Sequence, residues 1–342
     1  MKQFLKKTFA AGLIVLLFIG LIKHDLISYL LMQARGQLNV LWNARTIDAV
    51  LTDETVDAEL KTKIEFVREV KLFAEKELGL KSDGLYTTIY DQNGKDILWN
   101  LSASKPYVLE SVEWYFPIVG SVSYKGFFDL ERAKSEEQLL KKEGYDTRIR
   151  PVNAWSTLGW FSDPILSKNL ERSKGSIAEL FIHEITHANI FIKDSLTFNE
   201  NLASFIGEQG AKLFMANKHG IENMVYSKYI ESEFDVQKFI KHCLLGVKEL
   251  DSLYSGFSSE MLNTEKNQAK KTYLKDWVQR LDSISFSDDS IYHGRFQKKL
   301  PNNAFFMTFE RYDSKKEDFK FQLESQFRGD LKKFIEFYKM ED

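Results

Sequence analysis

The stretch Leu180-Phe181-Ile182-His183-Glu184-Ile185-Thr186-His187-Ala188-Asn189-Ile190 is an H-E-x-x-H motif set among apolar residues. On a helix, residues four apart stand one turn above each other, so His183 and His187 can aim their imidazoles at a single metal ion. Glu184 directly follows the first of them. Its carboxylate then lies beside the open position of that ion, where it can take a proton from an attacking water. The pattern points to a zinc (Zn²⁺) centre of hydrolytic type, with His183 and His187 as ligands and Glu184 as general base. The flanks predict the helix the motif needs: Ser176 with Glu179 three residues on is a capping box, so the helix starts near Ile177. Neither Pro nor Gly interrupts it before Ile192.

A catalytic zinc takes three protein ligands and keeps a fourth position for water. The third ligand is expected on the next segment, 197–211, read as a second helix entered through a short turn at 193–196. One face of it, Glu200, Ala203 or Ser204, Gly207 and Ala211, is mostly small, which lets a neighbouring helix approach closely. Glu200 and Glu208 both project from that face. Counting at about 1.5 Å per residue along two antiparallel helices leaves each a few residues from the level of the metal, so spacing alone keeps both open. Thr197 with Glu200 is also a possible capping box, which would give Glu200 a purely structural task.

The run Asn199-Glu200-x-x-Ala203-Ser204-Phe205 resembles the N-E-x-x-A-S-F segment of aminopeptidase N-type gluzincins, although the gap after the second His is shorter here. That resemblance implies Glu200 as the third ligand. Further motifs follow in order: Pro117-Ile118-Val119-Gly120, Tyr124-Lys125-Gly126-Phe127-Phe128, Gly144-Tyr145-Asp146, Ser156-Thr157-Leu158-Gly159-Trp160-Phe161-x-Asp163-Pro164, the H-E-x-x-H helix, and Leu300-Pro301-Asn302-Asn303-Ala304. Together they resemble the bacterial family known as predicted or putative aminopeptidases, over nearly all the chain after its N-terminal segment. The resemblance implies a membrane-associated metallopeptidase acting on peptides. Aminopeptidase N-type enzymes bind the free substrate amine with a G-x-M-E-N segment, which has no match here, so an endopeptidase is the competing expectation. In related gluzincins a Tyr or His well downstream of the glutamate stabilises the oxyanion. By order in the chain Tyr292 and His293 are best placed, with Tyr226, Tyr229 and Tyr254 also open.

At the start, Lys2, Lys6 and Lys7 precede an uncharged run, 8–22, that ends before Lys23. It resembles an export signal. No small-x-small site follows, since Phe18 precedes Gly20 and Leu26 precedes Ser28, so an uncleaved anchor is expected, with the body on the periplasmic side. The run is short for a span of about 20 residues, but Lys7 and Lys23 can snorkel to the two surfaces. The single Cys243 allows no internal disulfide, and no cysteine follows the run to carry a lipid.

With 47 basic and 49 acidic residues the net charge is −2, which leaves no basic footprint for nucleic acid. A chain of 342 residues, 44% hydrophobic and 28% charged, can bury a sizeable core. The expected architecture is an anchor at 1–24 and one metallopeptidase body at 25–342: a helical entry (25–84), a β-containing part (85–164) and a helical part with the metal site (165–342). The fold class is α+β, predominantly helical, zincin-like, with a small sheet beside the metal helix. Runs 85–90 and 97–102 around Asn93-Gly94 read as a hairpin, and further strands are expected within 113–124 and 147–153, either side of a charged helix at 130–142. A substrate-pairing edge strand is expected in 107–124 or 154–161. Helices are expected at 221–254, 259–283 and 305–312, with Asn302 and Asn303 holding a turn or capping the last. His219, His242 and His293 have no partner at ligand spacing and read as structural. The reading from a different class is a membrane-tethered, zinc-stabilised binding or scaffold protein without turnover, its metal closed by Glu208 beside Glu200.

Overall fold

The computed structural model describes residues 24–116, 120–152 and 163–340. The first described helix, α1 (His24–Asn43), leads through strand β1 (Arg45–Thr46) to α2 (Ile47–Thr52) and α3 (Ala58–Lys76). Thr46 and Asp57 cap the latter two with side-chain oxygens that accept from the first-turn amides. On α3, Ile64, Val67, Val70 and Ala74 recur at helical spacing and are buried. The helical entry thus contributes to the main hydrophobic core.

The strands follow in short pieces: β2 (Thr88–Tyr90), β3 (Trp99–Ser104), β4 (Trp114–Phe116), β5 (Gly120–Val122), β6 (Lys125–Phe127), β7 (Asp146–Pro151) and β8 (Ile165–Leu166), with helix α4 (Leu130–Lys142) between β6 and β7. They make three small sheets, ordered β1-β2-β8, β6-β3-β7 and β4-β5. The expected hairpin across Asn93-Gly94 does not form as a pair. The turn itself is there, with both residues at positive φ and Lys95 N donating to Gln92 O at 3.0 Å. But β2 spends its two edges on β1 and, in parallel, on β8, while β3 pairs with β6 and β7. Long-range pairing overrides the local signal because β2 must lie beside Ile165, which is fully buried.

Helices make up the rest: α5 (Lys174–His187), α6 (Leu196–His219), α7 (Met224–Ser255), α8 (Asn263–Leu281), the single turn α9 (Asp289–Tyr292), α10 (Asn303–Asp313), α11 (Lys316–Phe327) and α12 (Leu331–Lys339). The main core joins α3, α5 and α6 to α12 through residues such as Val70, Phe181, Ile182, Phe205 and Phe334. A second cluster gathers Phe239, Cys243 and Leu250 of α7, Leu274 and Trp277 of α8, and Phe305 and Phe306 of α10. A third, smaller one seats Tyr29 of α1 on Leu101, Phe127 and Ala133. Asn302 caps α10, its side chain accepting from Phe305 N, while Asn303 is wholly buried and donates to the carbonyls of Lys105 and Pro106.

Candidate metal centre

The helix that carries the H-E-x-x-H motif begins earlier than its sequence suggests. Ser173, not Ser176, is the cap of α5, and its hydroxyl accepts from Ser176 N at 3.3 Å. Gly175 thus sits inside the first turn, packed so tightly on Tyr229 that a Cβ there would overlap its ring. Glu179 falls one turn before His183 rather than in a capping box. The helix ends at His187, and Asn199 closes the turn to α6 by accepting from Ile192 N at 3.0 Å and donating to Ile192 O at 2.7 Å.

Two glycines let α6 lie close on α5. A Cβ on Gly207 would stand 2.9 Å from the carbonyl oxygen of Glu179 and 3.1 Å from Cβ of His183; one on Gly210 would meet Leu78 and Ile182 at 2.9 and 3.0 Å. Ser195 is the cap of α6, so Thr197 with Glu200 is not a capping box and the Glu200 side chain is free to turn inward.

It turns to the two histidines. His183 Nε2 and His187 Nε2 are 3.1 Å apart, and Glu200 Oε2 lies 3.5 Å from each. Among the described residues this is the one group of His, Cys, Asp and Glu that could hold a metal ion. Glu200 is buried; burial works against its charge, but the charges and hydrogen bonds of His187 and His183 prevail and hold its carboxyl well below the usual carboxylate range. For His187 burial opposes protonation, while the Glu200 carboxylate raises its pKa and wins. Ser204 Oγ stands 3.5 Å from His183 Nδ1. Tyr86 is buried, and its phenol is held well above its ordinary pKa by that burial and then by the charges of Glu184 and Asp163. Tyr86 itself has φ 53 and packs edge-on against Phe181.

Glu208 is not at this point. Its carboxylate accepts from Lys212 at 2.5 Å, Gln237 at 2.9 Å and Lys316 at 3.2 Å, and Lys316 also pairs with Asp313 at 3.0 Å. The downstream candidates are elsewhere as well. Tyr292 stacks on Phe286 with ring centroids 4.1 Å apart, His293 donates to Ile284 O at 2.8 Å, and Tyr254 donates to Asn303 Oδ1 at 2.7 Å. Tyr229 is buried in the main core beside Glu179 and Glu233. His242 donates to Trp277 O at 3.0 Å and stacks on its ring, as a structural histidine should.

Two tyrosines that chain order did not single out feel the charge of Glu200 instead. Tyr312, at the end of α10, has its hydroxyl pushed up to about 12 by burial and then by the charge of Glu200. Arg150 of β7 donates to that hydroxyl at 3.2 Å. Tyr124 is likewise raised by burial and Glu200, and Arg311 lies 5.7 Å over its ring while donating to Ser123 O at 3.3 Å. A signal for Tyr312 existed: it closes the helix that follows Leu300 to Ala304.

Of the two segments expected to pair with substrate, 154–161 lies outside the described residues, as do 117–119 and the N-terminal run 8–22. In the other, β4 pairs with β5 alone among described strands, and Gly120 of β5, at φ +77, lies where a Cβ would be 2.6 Å from Oδ1 of Asp194 in the α5–α6 turn. The positive φ is what favours glycine there.

Compared with known proteins, the chain matches a family model described as putative aminopeptidase over residues 28–340. No curated protein and no solved structure matches it.

Proposed function

Because this chain belongs to the putative aminopeptidase family, we propose that it hydrolyses peptide bonds at a zinc ion held by His183, His187 and Glu200, with Glu184 as general base. One observation carries the reading. The donor atoms are 3.1, 3.5 and 3.5 Å apart, and the edge of a tetrahedron with zinc bonds of about 2.0–2.2 Å is roughly 3.3–3.6 Å. Two imidazoles and one carboxylate are also the donor set of a catalytic zinc that keeps its fourth position open, and Glu208, the alternative fourth ligand, is engaged by two lysines.

When bound, zinc would polarise the scissile carbonyl and make a water acidic enough to attack at neutral pH. The chain's own groups do the rest. Glu184 accepts a proton from the attacking water and returns it to the leaving amine. Glu200, ionised well below neutral pH, supplies a fixed negative charge beneath the two imidazoles. Tyr312 keeps its proton at neutral pH and, held by Arg150, is our candidate to donate to the oxygen that gains charge in the tetrahedral intermediate. The uncharged run 8–22 anchors the body to a membrane, on the periplasmic side.

The test is metal content of the purified chain together with a digest of free and N-acetylated peptides. We expect one zinc per chain, lost in Glu200→Ala, and cleavage confined to free N-termini. Cleavage of the blocked peptides makes it an endopeptidase, and a chain with no metal and no turnover removes the reading.

A further inference from the structure

Helix α1 has one side built into the protein and another that no described residue covers. On the inner side Tyr29 and Val40 are buried. The Tyr29 hydroxyl donates to Gly126 O at 2.9 Å, Gln33 Nε2 to the same oxygen at 2.7 Å, and Arg132 Nη1 to Ser28 O at 2.9 Å. Gly36 is pressed on Phe128 so closely that a Cβ would lie 2.1 Å from its ring. At about 100° per residue, Ile27, Leu31, Leu38 and Trp42 fall within roughly 60° of one another, opposite Tyr29 and Val40. These four are 40, 65, 39 and 79% exposed, and Leu26 and Leu30 flank them at 42 and 50%. Single exposed apolar residues are ordinary, but six along one helix form a continuous patch that marks an interaction surface. Asp25 and Arg35 are the only charges on the helix.

We propose that this face lies on a lipid bilayer, with α1 in the membrane plane. The proposal rests on the anchor reading above and goes beyond it: the anchor tethers, while α1 orients. The uncharged run 8–22 is followed by Lys23, and α1 begins at the next residue, so an anchor at 8–22 delivers α1 to headgroup level. No helix among the described residues is long and apolar enough to cross a membrane. An amphipathic helix instead sinks its apolar face about 5–10 Å into the headgroup boundary, and a Trp at its far end, here Trp42, is the residue favoured at that interface. A second copy is the poorer occupant. A stripe some 30 Å long and roughly 10 Å wide offers about 300 Å² per partner, against the ~800 Å² of a stable interface.

Cys243 is the one cysteine and is buried, so a cysteine introduced elsewhere can be spin-labelled selectively. The full-length chain is placed in phosphatidylcholine–phosphatidylglycerol vesicles with a label at Leu31→Cys, Leu38→Cys or Trp42→Cys, and with Glu59→Cys, on an exposed face of α3, as the aqueous reference. The first three labels are expected to collide several-fold more often with dissolved oxygen than with a nickel chelate, and the reference to show the reverse. Labels on α1 that read like position 59 overturn the proposal, and so does dipolar broadening between copies labelled at 31. Vesicle flotation separates the two readings: a chain that floats with wet α1 labels loses only this inference, whereas one that does not float loses the anchor as well.

Discussion

Gly207 and His183 are in contact so close that the glycine's missing side chain is a condition of the His183, His187 and Glu200 cluster: a Cβ at position 207 would meet Cβ of His183 at 3.1 Å and the Glu179 carbonyl oxygen at 2.9 Å. Because the second of these is backbone, it cannot yield by a rotamer change. Gly207→Ala is expected to push α6 off α5 and, with it, Glu200 off the histidines. Overpacking of this kind costs about 1–3 kcal/mol, so the melting temperature should fall by several degrees and zinc affinity by at least about tenfold. Competition titration with a chelating dye measures it; unchanged affinity would mean that the helix spacing does not set the donor triangle.

Glu184→Gln keeps the shape of the side chain and removes its basicity. The variant should hold zinc stoichiometrically and lose turnover by a factor of about 10²–10⁴, the range for a positioned general base. Parent-like hydrolysis by the metal-loaded variant would show that the proton goes elsewhere.

Tyr312→Phe removes the proposed oxyanion donor and leaves the ring. A fall in kcat of about 10²-fold with KM nearly unchanged is expected, since such a bond forms only as charge develops. Tyr292→Phe, in an aromatic stack away from the donors, should keep its activity. Steady-state kinetics on the same peptide decides between them, and equal rates for Tyr312→Phe and the parent would count against the assignment.

Burial and the charges of Glu179 and Glu208 push the Glu233 carboxyl up to about 8 from an ordinary 4.5. Folded protein therefore keeps this proton at pH values where the unfolded chain has released it. The sign follows: unfolding sheds a proton between pH 4.5 and 8, so stability contributed by this group is full below the lower value and falls as pH rises toward the upper one. Glu233→Gln has no proton to lose. Its melting temperature should exceed the parent's by a few degrees at pH 8.5, with the gap closing by pH 5. Thermal melts across that range test it; parallel curves would show that Glu233 carries no such penalty.

Several features were legible in the amino-acid order because they depend on few neighbours. The charged helix expected at 130–142 is α4, Leu130–Lys142. Of Asn302 and Asn303, both read as holding a turn or capping the helix at 305–312, Asn302 is the cap of α10. The Asn93-Gly94 turn is present even though its flanking strands pair elsewhere. The start of α5 was misplaced by three residues because Ser176 with Glu179 imitates a cap, whereas Gly175 is needed inside the helix to pack on Tyr229.

The spacing of His183, Glu184 and His187 needed no fold to interpret, since the backbone hydrogen bonds of one helix set where residues four apart must stand. Which acid joins them did need it. Glu200 and Glu208 lie two turns apart on one face of α6, and only the depth to which Gly207 and Gly210 let that helix settle on α5 decides which reaches the imidazoles and which is left to Lys212 and Lys316. Tyr124 and Tyr312 come under the charge of Glu200 through packing between segments far apart in the chain. No local period encodes such offsets, because they are set by side-chain volumes across an interface rather than by the geometry of a single element.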